Sequence, residues 1–187
     1  VSDWKLLHTL AISDGHGSNL SFSSDSQHLV AKRGRMARAW DAETGELRGE
    51  WRAPEGFLLS TGLERVLAGA QLGGVTLLSL PSLAPIKALD GHNARTLASS
   101  LLEQYGLALT VSSDHTAQLW SSKTGEHIET LRGHTSWVLD GLLFLDRNTP
   151  HVLTGGRDKV IKVWTLPDMG TRREYFSSSP SKHRAWS

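Results

Sequence analysis

A repeating segment that ends in tryptophan is the feature that most limits what this chain can fold into. Similar segments end at Trp40, Trp120 and Trp164, and a fourth copy, ending at Leu78, lies between the first two. These four end residues, the anchors, are separated by 38, 42 and 44 residues. A period of about 40 to 45 residues is typical of repeat architectures in which each unit is one small four-stranded sheet.

The residues before each anchor alternate between apolar and polar. Apolar residues stand one place before the anchors, at Ala39, Leu77, Leu119 and Val163, and three places before them, at Ala37, Val75, Ala117 and Ile161. Polar residues lie between these two columns, at Arg38, Thr76, Gln118 and Lys162. Because the side chains of a strand point alternately to two faces, the pattern predicts that each anchor closes a short, half-buried strand.

Turn signals repeat at the same offsets. Trp40 and Trp120 are followed by Thr44-Gly45-Glu46 and Thr124-Gly125-Glu126, and the other two anchors by Leu80-Pro81 and Leu166-Pro167. Glycine and proline end strands and start hairpins. Further apolar runs precede each anchor, and no sustained helical period of 3.6 is visible. Each unit is therefore predicted to hold about four short strands, and the chain to be all-β.

The last two units carry four polar or aromatic residues at matching places. These are His92, Thr110, Asp114 and Trp120 in one unit, and His134, Thr154, Asp158 and Trp164 in the other, each His being preceded by Gly. In this spacing the chain resembles the WD-repeat β-propeller family, typified by the G-protein beta subunit. The resemblance implies that each set of four forms a hydrogen-bonded tetrad that ties a loop to a strand. Linking the four groups would satisfy them together, which buried polar groups require.

The first two units match the family less well. Gly34 stands where the first unit should have Asp, and its Gly15-His16 lies only 24 residues before Trp40, too close without a deletion. The second unit has Leu72 and Leu78 in place of Asp and Trp. The resemblance still extends over residues 4 to 176.

The resemblance implies a β-propeller of four-stranded antiparallel blades. We expect a propeller segment over residues 1–176, with blades at about 11–51, 52–89, 90–131 and 132–176, and a disordered serine-rich tail over residues 177–187. Residues 4–10 resemble the outer strand of a preceding blade, and residues 171–176 are predicted as the last outer strand. Because this leaves one strand over, and the chain starts with Val, we expect four blades of an incomplete ring. Self-pairing of two chains into an eight-bladed ring is the alternative.

Composition excludes several classes of function. The chain has no cysteine, which removes disulfides, thiolate zinc sites and cysteine nucleophiles. Twenty Lys and Arg against 19 Asp and Glu are too balanced for a protein whose whole surface binds nucleic acid. No apolar run is long enough to span a membrane. The nine histidines are scattered, so neither a metal site nor another cofactor is expected.

Two sets of residues are candidates for binding. Trp137 and Arg95 each lie three residues beyond the Gly-His of their unit, in loops that the family places on the face where partners dock, and Arg157 lies in the next loop. Arg and Trp are enriched at interface hot spots. The second set is a basic cluster, Lys32, Arg33, Arg35 and Arg38, which could contact an anionic group.

These features predict a non-enzymatic scaffold that docks other proteins within a multi-subunit complex, in the cytoplasm or nucleus, without a small-molecule substrate. A hydrolase triad is the enzymatic alternative, because each tetrad combines Thr, His and Asp. A catalytic set should occur once, whereas this set occurs twice at the repeat period. The remaining alternative is binding of RNA or a phosphoinositide by the basic cluster.

Overall fold

The computed structural model describes residues 5–12, 18–53, 57–70 and 74–166. These residues form four antiparallel sheets that follow one another along the chain, each a simple up-and-down meander. The first sheet contains β1 (Ser18–Phe22), β2 (His28–Arg33), β3 (Met36–Asp41) and β4 (Leu47–Arg52), and the second contains β5 (Phe57–Thr61), β6 (Arg65–Ala70), β7 (Val75–Ser79) and β8 (Pro85–Leu89). The third contains β9 (Thr96–Leu102), β10 (Leu107–Ser112), β11 (Thr116–Ser121) and β12 (His127–Arg132), and the fourth contains β13 (Val138–Asp146), β14 (Thr149–Gly156) and β15 (Ile161–Thr165).

The all-β fold predicted from the anchors and the propeller-type arrangement that the resemblance implies are both confirmed. Within the described ranges the only helical element is a short 3-10 turn, Glu103–Tyr105. The fourth sheet has three described strands, since the outer strand predicted at residues 171–176 lies outside the described part of the chain, as does the predicted tail. Of the predicted early strand, residues 5–10 are described and are not assigned to a strand.

Each anchor lies in the third strand of its sheet, and in the first three sheets it lies beside a shift in pairing register. The shift falls between Ala39 and Trp40 in the first sheet and between Leu119 and Trp120 in the third. The following hairpin turns at glycines with positive φ, 72° at Gly45 and 71° at Gly125. A left-handed backbone favours glycine, so the Thr-Gly-Glu signal has a conformational cause.

The sheets pack on one another by a single rule. In each sheet the forward face carries the residues one and three places before the anchor, and the anchor face carries the anchor itself. The forward face of the first sheet (Val30, Ala37, Ala39) packs on Val66, Ala68 and Leu78 of the second, and Val75 and Leu77 of the second pack on Ala108 and Trp120 of the third. Leu109, Ala117 and Leu119 of the third then pack on Leu143, Val152 and Trp164 of the fourth. The core thus consists of three successive interfaces between sheets.

The four sheets form an open arc. The innermost strands of successive sheets lie side by side, from β1 to β5, β9 and β13. No hydrophobic cluster of the described residues joins the first sheet to the fourth. Among the described residues, no sheet packs on the anchor face of the first sheet or on the forward face of the fourth. In the described ranges, no helix is long and apolar enough to cross a membrane.

Candidate functional site

The structure brings the four candidate residues of the third sheet together in one chain of hydrogen bonds. Trp120 Nε1 donates to Thr110 Oγ1 at 2.9 Å, and Thr110 Oγ1 lies 2.9 Å from His92 Nε2. His92 Nδ1 lies 2.8 Å from Asp114 Oδ2. A neutral imidazole that accepts the threonine proton at Nε2 and donates from Nδ1 to the carboxylate satisfies every group. The set links β10 and β11 to the loop that precedes β9.

The fourth sheet repeats this arrangement. Trp164 Nε1 donates to Thr154 Oγ1 at 2.9 Å, and His134 lies 2.8 Å from both Thr154 Oγ1, through Nε2, and Asp158 Oδ2, through Nδ1. The side chains of His134 and Asp158 are only 2 % and 6 % exposed. The two quartets thus lie at the same end of neighbouring sheets, at the turns β10–β11 and β14–β15.

The aspartates also receive hydrogen bonds from the backbone of the loops. Burial alone would raise the pKa of Asp114, but hydrogen bonds from Thr116 and His92 outweigh it and hold that pKa below its ordinary value. Burial likewise opposes ionisation of Asp158, and hydrogen bonds from His134 and from the amides of Thr135 and Val160 lower its pKa. Both carboxylates are therefore ionised acceptors that fix the loops at neutral pH.

Neither quartet has the geometry of a catalytic triad. The hydroxyl-bearing residues Thr110 and Thr154 are fully buried, and each oxygen already contacts an indole and an imidazole. A nucleophile must instead be exposed to its substrate. Within the described ranges, no group of three or more His, Asp or Glu side chains is arranged to hold a metal ion.

The first sheet keeps the anchor Trp40 but has apolar residues at the His and Thr positions of the quartet. Arg38 Nη1 donates to the carbonyl of Ala11 at 2.9 Å, as Gln118 Nε2 donates to the carbonyl of Gly91 at 2.9 Å. Gln118 and Gly91 lie 80 positions after Arg38 and Ala11, and Trp120 lies 80 positions after Trp40. Ala31 pairs with Arg38 as Thr110 pairs with Gln118, so Ile12 and Ala31 stand at the positions of His92 and Thr110.

The place that corresponds to Gly91-His92 is therefore Ala11-Ile12 and not Gly15-His16, which lies outside the described residues. Counting back 80 residues from the complete unit would have found Ile12 in the sequence. The search for a Gly-His pair pointed to residues 15 and 16 instead.

The loops beside the quartets hold the three candidate contact residues. The amide of Ser113 donates to the carbonyl of Arg95 at 3.0 Å, and the amide of Arg157 donates to the carbonyl of Trp137 at 2.7 Å, so Arg95 and Trp137 are equivalent. Trp137 is 43 % exposed, and the Arg157 guanidinium carbon lies 5.0 Å from the centroid of its ring. We call Trp137 and Arg157 the indole platform. It is an exposed aromatic surface held by a cation–π contact and a backbone hydrogen bond.

The basic cluster lies on the β2–β3 hairpin of the first sheet and is largely engaged within the chain. Arg35 Nε donates to the carbonyl of Ala53 at 3.1 Å, and Arg38 Nε lies 2.7 Å from Glu50 Oε2. Lys32 and Arg33 also have interaction partners. The β2–β3 hairpin lies at the same edge of its sheet as the β10–β11 and β14–β15 turns that hold the quartets. It belongs to the first sheet, however, so the basic cluster and the indole platform are separate.

A cavity of about 420 Å³ lies between the second and third sheets, at the edge of the sheets opposite to the quartets. Glu103 crosses between these sheets and accepts hydrogen bonds from the amides of Leu63 and Glu64, the latter at 2.9 Å. No sequence pattern pointed to Glu103, because the contact joins residues about 40 positions apart in different units.

Sequence comparison matches residues 125–165 to the WD domain, G-beta repeat. A similar curated protein is eukaryotic translation initiation factor 3 subunit I of Lodderomyces elongisporus, 31 % identical over 105 residues. That match covers 55 % of this chain and 29 % of the relative, so the chain spans only about three tenths of the relative's length.

Two solved structures share the fold. The computationally designed Ika4 protein superposes with a TM-score of 0.68 at 24 % identity, over 87 % of this chain and 100 % of the designed chain. U3-55K superposes with a TM-score of 0.70 at 17 % identity, over 82 % of this chain and 51 % of that chain. At these identities the likeness concerns the fold alone.

Proposed function

We propose that this chain is a non-catalytic scaffold that docks proteins through the indole platform, because residues 125–165 match the WD domain, G-beta repeat, and the described sheets share the β-propeller fold. The repeats support an interaction role in general, and the exposed Trp137 at a loop tip is the observation that carries the finer proposal. Tryptophan and arginine are the residue types that contribute most often to interface hot spots.

The quartet beneath the platform lowers the cost of binding. Asp158 accepts from the amide of Thr135 at 3.0 Å, which holds the loop that carries Trp137 against the turn that carries Arg157. A loop that is ordered before binding loses less conformational entropy when the partner docks. This division of roles explains why the polar quartet is buried and the indole is exposed.

The exposed Trp137 has the guanidinium of Arg157 beside its ring. We therefore propose a protein partner that offers an apolar group to the indole and a carboxylate to Arg157.

The partners are proposed to be subunits of a larger assembly in the cytoplasm or nucleus. The similarity to a protein named as a subunit of eukaryotic translation initiation factor 3 supports this proposal. We also propose that the four sheets are part of a larger ring, with self-pairing of two chains as the alternative. An RNA or phosphoinositide ligand is a weaker candidate, because Arg35 and Arg38 of the basic cluster bind groups of the first sheet.

Affinity capture with variants of the chain tests the platform. Trp137→Ala should abolish capture of proteins that bind the wild type, since it removes the exposed indole of the platform and leaves the fold intact. Ile86→Ala is the matched control, because Ile86 is a similarly exposed apolar residue on β8, away from the quartet end. Equal capture by both variants, with unchanged unfolding midpoints, would contradict the proposal.

A further inference from the structure

We propose that the cleft between the second and third sheets binds a short peptide of a partner protein, and that a glutamine side chain of this peptide bonds to both Glu103 and Arg65. The cleft is the cavity of about 420 Å³ at the edge of the sheets opposite to the quartets. It shares no residue with the indole platform, so the proposal adds a second binding site to the chain.

The walls of the cleft come from turns of two sheets. One wall is the β5–β6 turn of the second sheet, and the other is formed by the end of β9, the 3-10 turn and the β11–β12 hairpin of the third. Glu103 holds the walls together, because its Oε2 accepts hydrogen bonds from the amides of Leu63 and Glu64. A volume of about 420 Å³ lies within the range of ligand pockets and is large enough for part of an extended peptide.

Two side chains of the cleft have unused hydrogen-bonding capacity. Oε1 of Glu103 and Nε of Arg65 are buried and have no hydrogen-bond partner. The Nη1 group of Arg65 is engaged, since it donates to the carbonyl of Glu64 at 2.9 Å. Buried polar groups in native proteins nearly always have a partner, and a bond formed away from bulk solvent is stronger than one at the surface. The two atoms therefore call for a ligand that offers one donor and one acceptor.

The chemistry of the walls favours a neutral carboxamide. An ammonium group beside Glu103 would share the cleft with the Arg65 guanidinium, and a carboxylate beside Arg65 would share it with Glu103. A primary carboxamide supplies both a donor and an acceptor without a net charge. Leu63, Leu101 and Leu102 line the same cleft, so the two methylenes of a glutamine side chain have apolar surface to cover.

The rim of the cleft favours a peptide over a free small molecule. Glu64, whose side chain is 71 % exposed, belongs to the wall of the second sheet, and the exposed Lys123 belongs to the wall of the third. A peptide that crosses the cleft can place a basic residue beside Glu64 and an acidic residue beside Lys123. Complementary charges at a rim steer association and fix orientation. We therefore expect a peptide in which glutamine lies between a basic and an acidic residue.

A chemical-shift titration of the isotope-labelled chain tests the site. The probe is the acetylated peptide methylamide Lys-Gln-Leu-Glu, and two comparison peptides replace its glutamine by glutamate or by leucine. We expect saturable shifts at the amides of Leu63, Glu64 and Lys123, and about tenfold weaker binding of both comparison peptides. Equal affinities of the three peptides, or no saturable shift at these amides up to about 5 mM probe, would overturn the inference.

Glu103→Gln should reverse the preference between the peptides. The amide oxygen of the new side chain can still accept from the backbone of Leu63 and Glu64, while its NH₂ group puts a donor in place of the free oxygen and removes the charge. We expect this variant to bind the glutamate peptide about tenfold more tightly than the glutamine peptide. Glu129→Gln, at an exposed position of β12 outside the cleft, is the matched control and should keep the wild-type order.

A Glu103→Gln chain with an unchanged unfolding midpoint and the wild-type order of affinities would overturn the assigned contact. If the variant unfolds, the comparison of the three peptides on the wild-type chain decides the question by itself.

Two further measurements separate the source of the ligand from its chemistry. Free propanamide should bind about tenfold more weakly than the probe peptide, because it has no charged residues to contact the rim. Equal affinity would overturn the assignment to a peptide. Trp137→Ala should leave the titration unchanged, so failure of this site is distinguishable from failure of the indole platform.

Discussion

The indole nitrogen of Trp164 lies 2.9 Å from the hydroxyl oxygen of Thr154, ten residues earlier on the neighbouring strand. The same hydroxyl lies 2.8 Å from His134 Nε2. One fully buried oxygen therefore serves both the strand that ends in the anchor and the loop that leads to the indole platform.

Removing that hydroxyl should destabilise the fold. Thr154→Val keeps the shape of the side chain but leaves the Trp164 N–H and the His134 ring without their partner, at a cost of about 1 to 3 kcal/mol. Urea unfolding monitored by circular dichroism measures the loss. Thr165→Val, at an exposed position of β15, is the control and should change stability little. Equal effects of the two substitutions would contradict the role of the quartet.

Acid should weaken the loops through the two aspartates. The folded-state pKa values of Asp114 and Asp158 lie below the ordinary value of 3.8, so their contribution to stability is complete above that value. It is lost as the pH falls from about 4 through the lowered pKa values. Asp158→Asn should therefore reduce the dependence of stability on pH below 4, whereas the exposed Asp146→Asn should not. Unfolding midpoints measured between pH 2 and 6 test this. If the midpoints of the wild type and of Asp158→Asn fall in parallel as the pH is lowered, the expectation is wrong.

The Thr-Gly-Glu turn of the third sheet should not tolerate a side chain. At Gly125 the backbone has a φ of 71°, and an added Cβ would lie 2.9 Å from both Lys87 and Leu89. Gly125→Ala should cost about 1 to 3 kcal/mol. Gly74→Ala is the matched control, because no atom lies within 4 Å of its added Cβ. Thermal unfolding of the two variants checks this, and a loss confined to Gly74→Ala would refute it.

The equivalence of Arg38 and Gln118 can be tested by exchange. Arg38→Gln should retain the hydrogen bond to the carbonyl of Ala11, as Gln118 bonds to Gly91, and lose only a partly exposed ion pair with Glu50. Such pairs contribute about 0.2 to 1 kcal/mol. Arg38→Met loses both interactions and should be the less stable variant in the same urea titration. If both variants lose the same stability, the proposed equivalence fails.

Much of this arrangement could be predicted from the sequence because it depends on local pattern. The alternation before Trp40, Leu78, Trp120 and Trp164 specifies strands with one buried face, and the glycine turns specify where they reverse. The family resemblance implied the bonds of the quartets, and they agree with the rule that each buried donor needs an acceptor. These properties need only the chain within one unit.

The sequence by itself determined the number of sheets, their strand faces and the residues of the two quartets. Only the tertiary structure decided that Arg35 and Arg38 bind groups of the first sheet and of the segment before it, and that Trp137 stays exposed beside Arg157. It also decided which apolar faces are covered within the described residues, because Leu119 and Val163 follow the same local pattern but only Leu119 has a described sheet packed on it. The burial of a face depends on which residues of the next sheet pack against it, and the sequence of a single repeat does not determine those contacts.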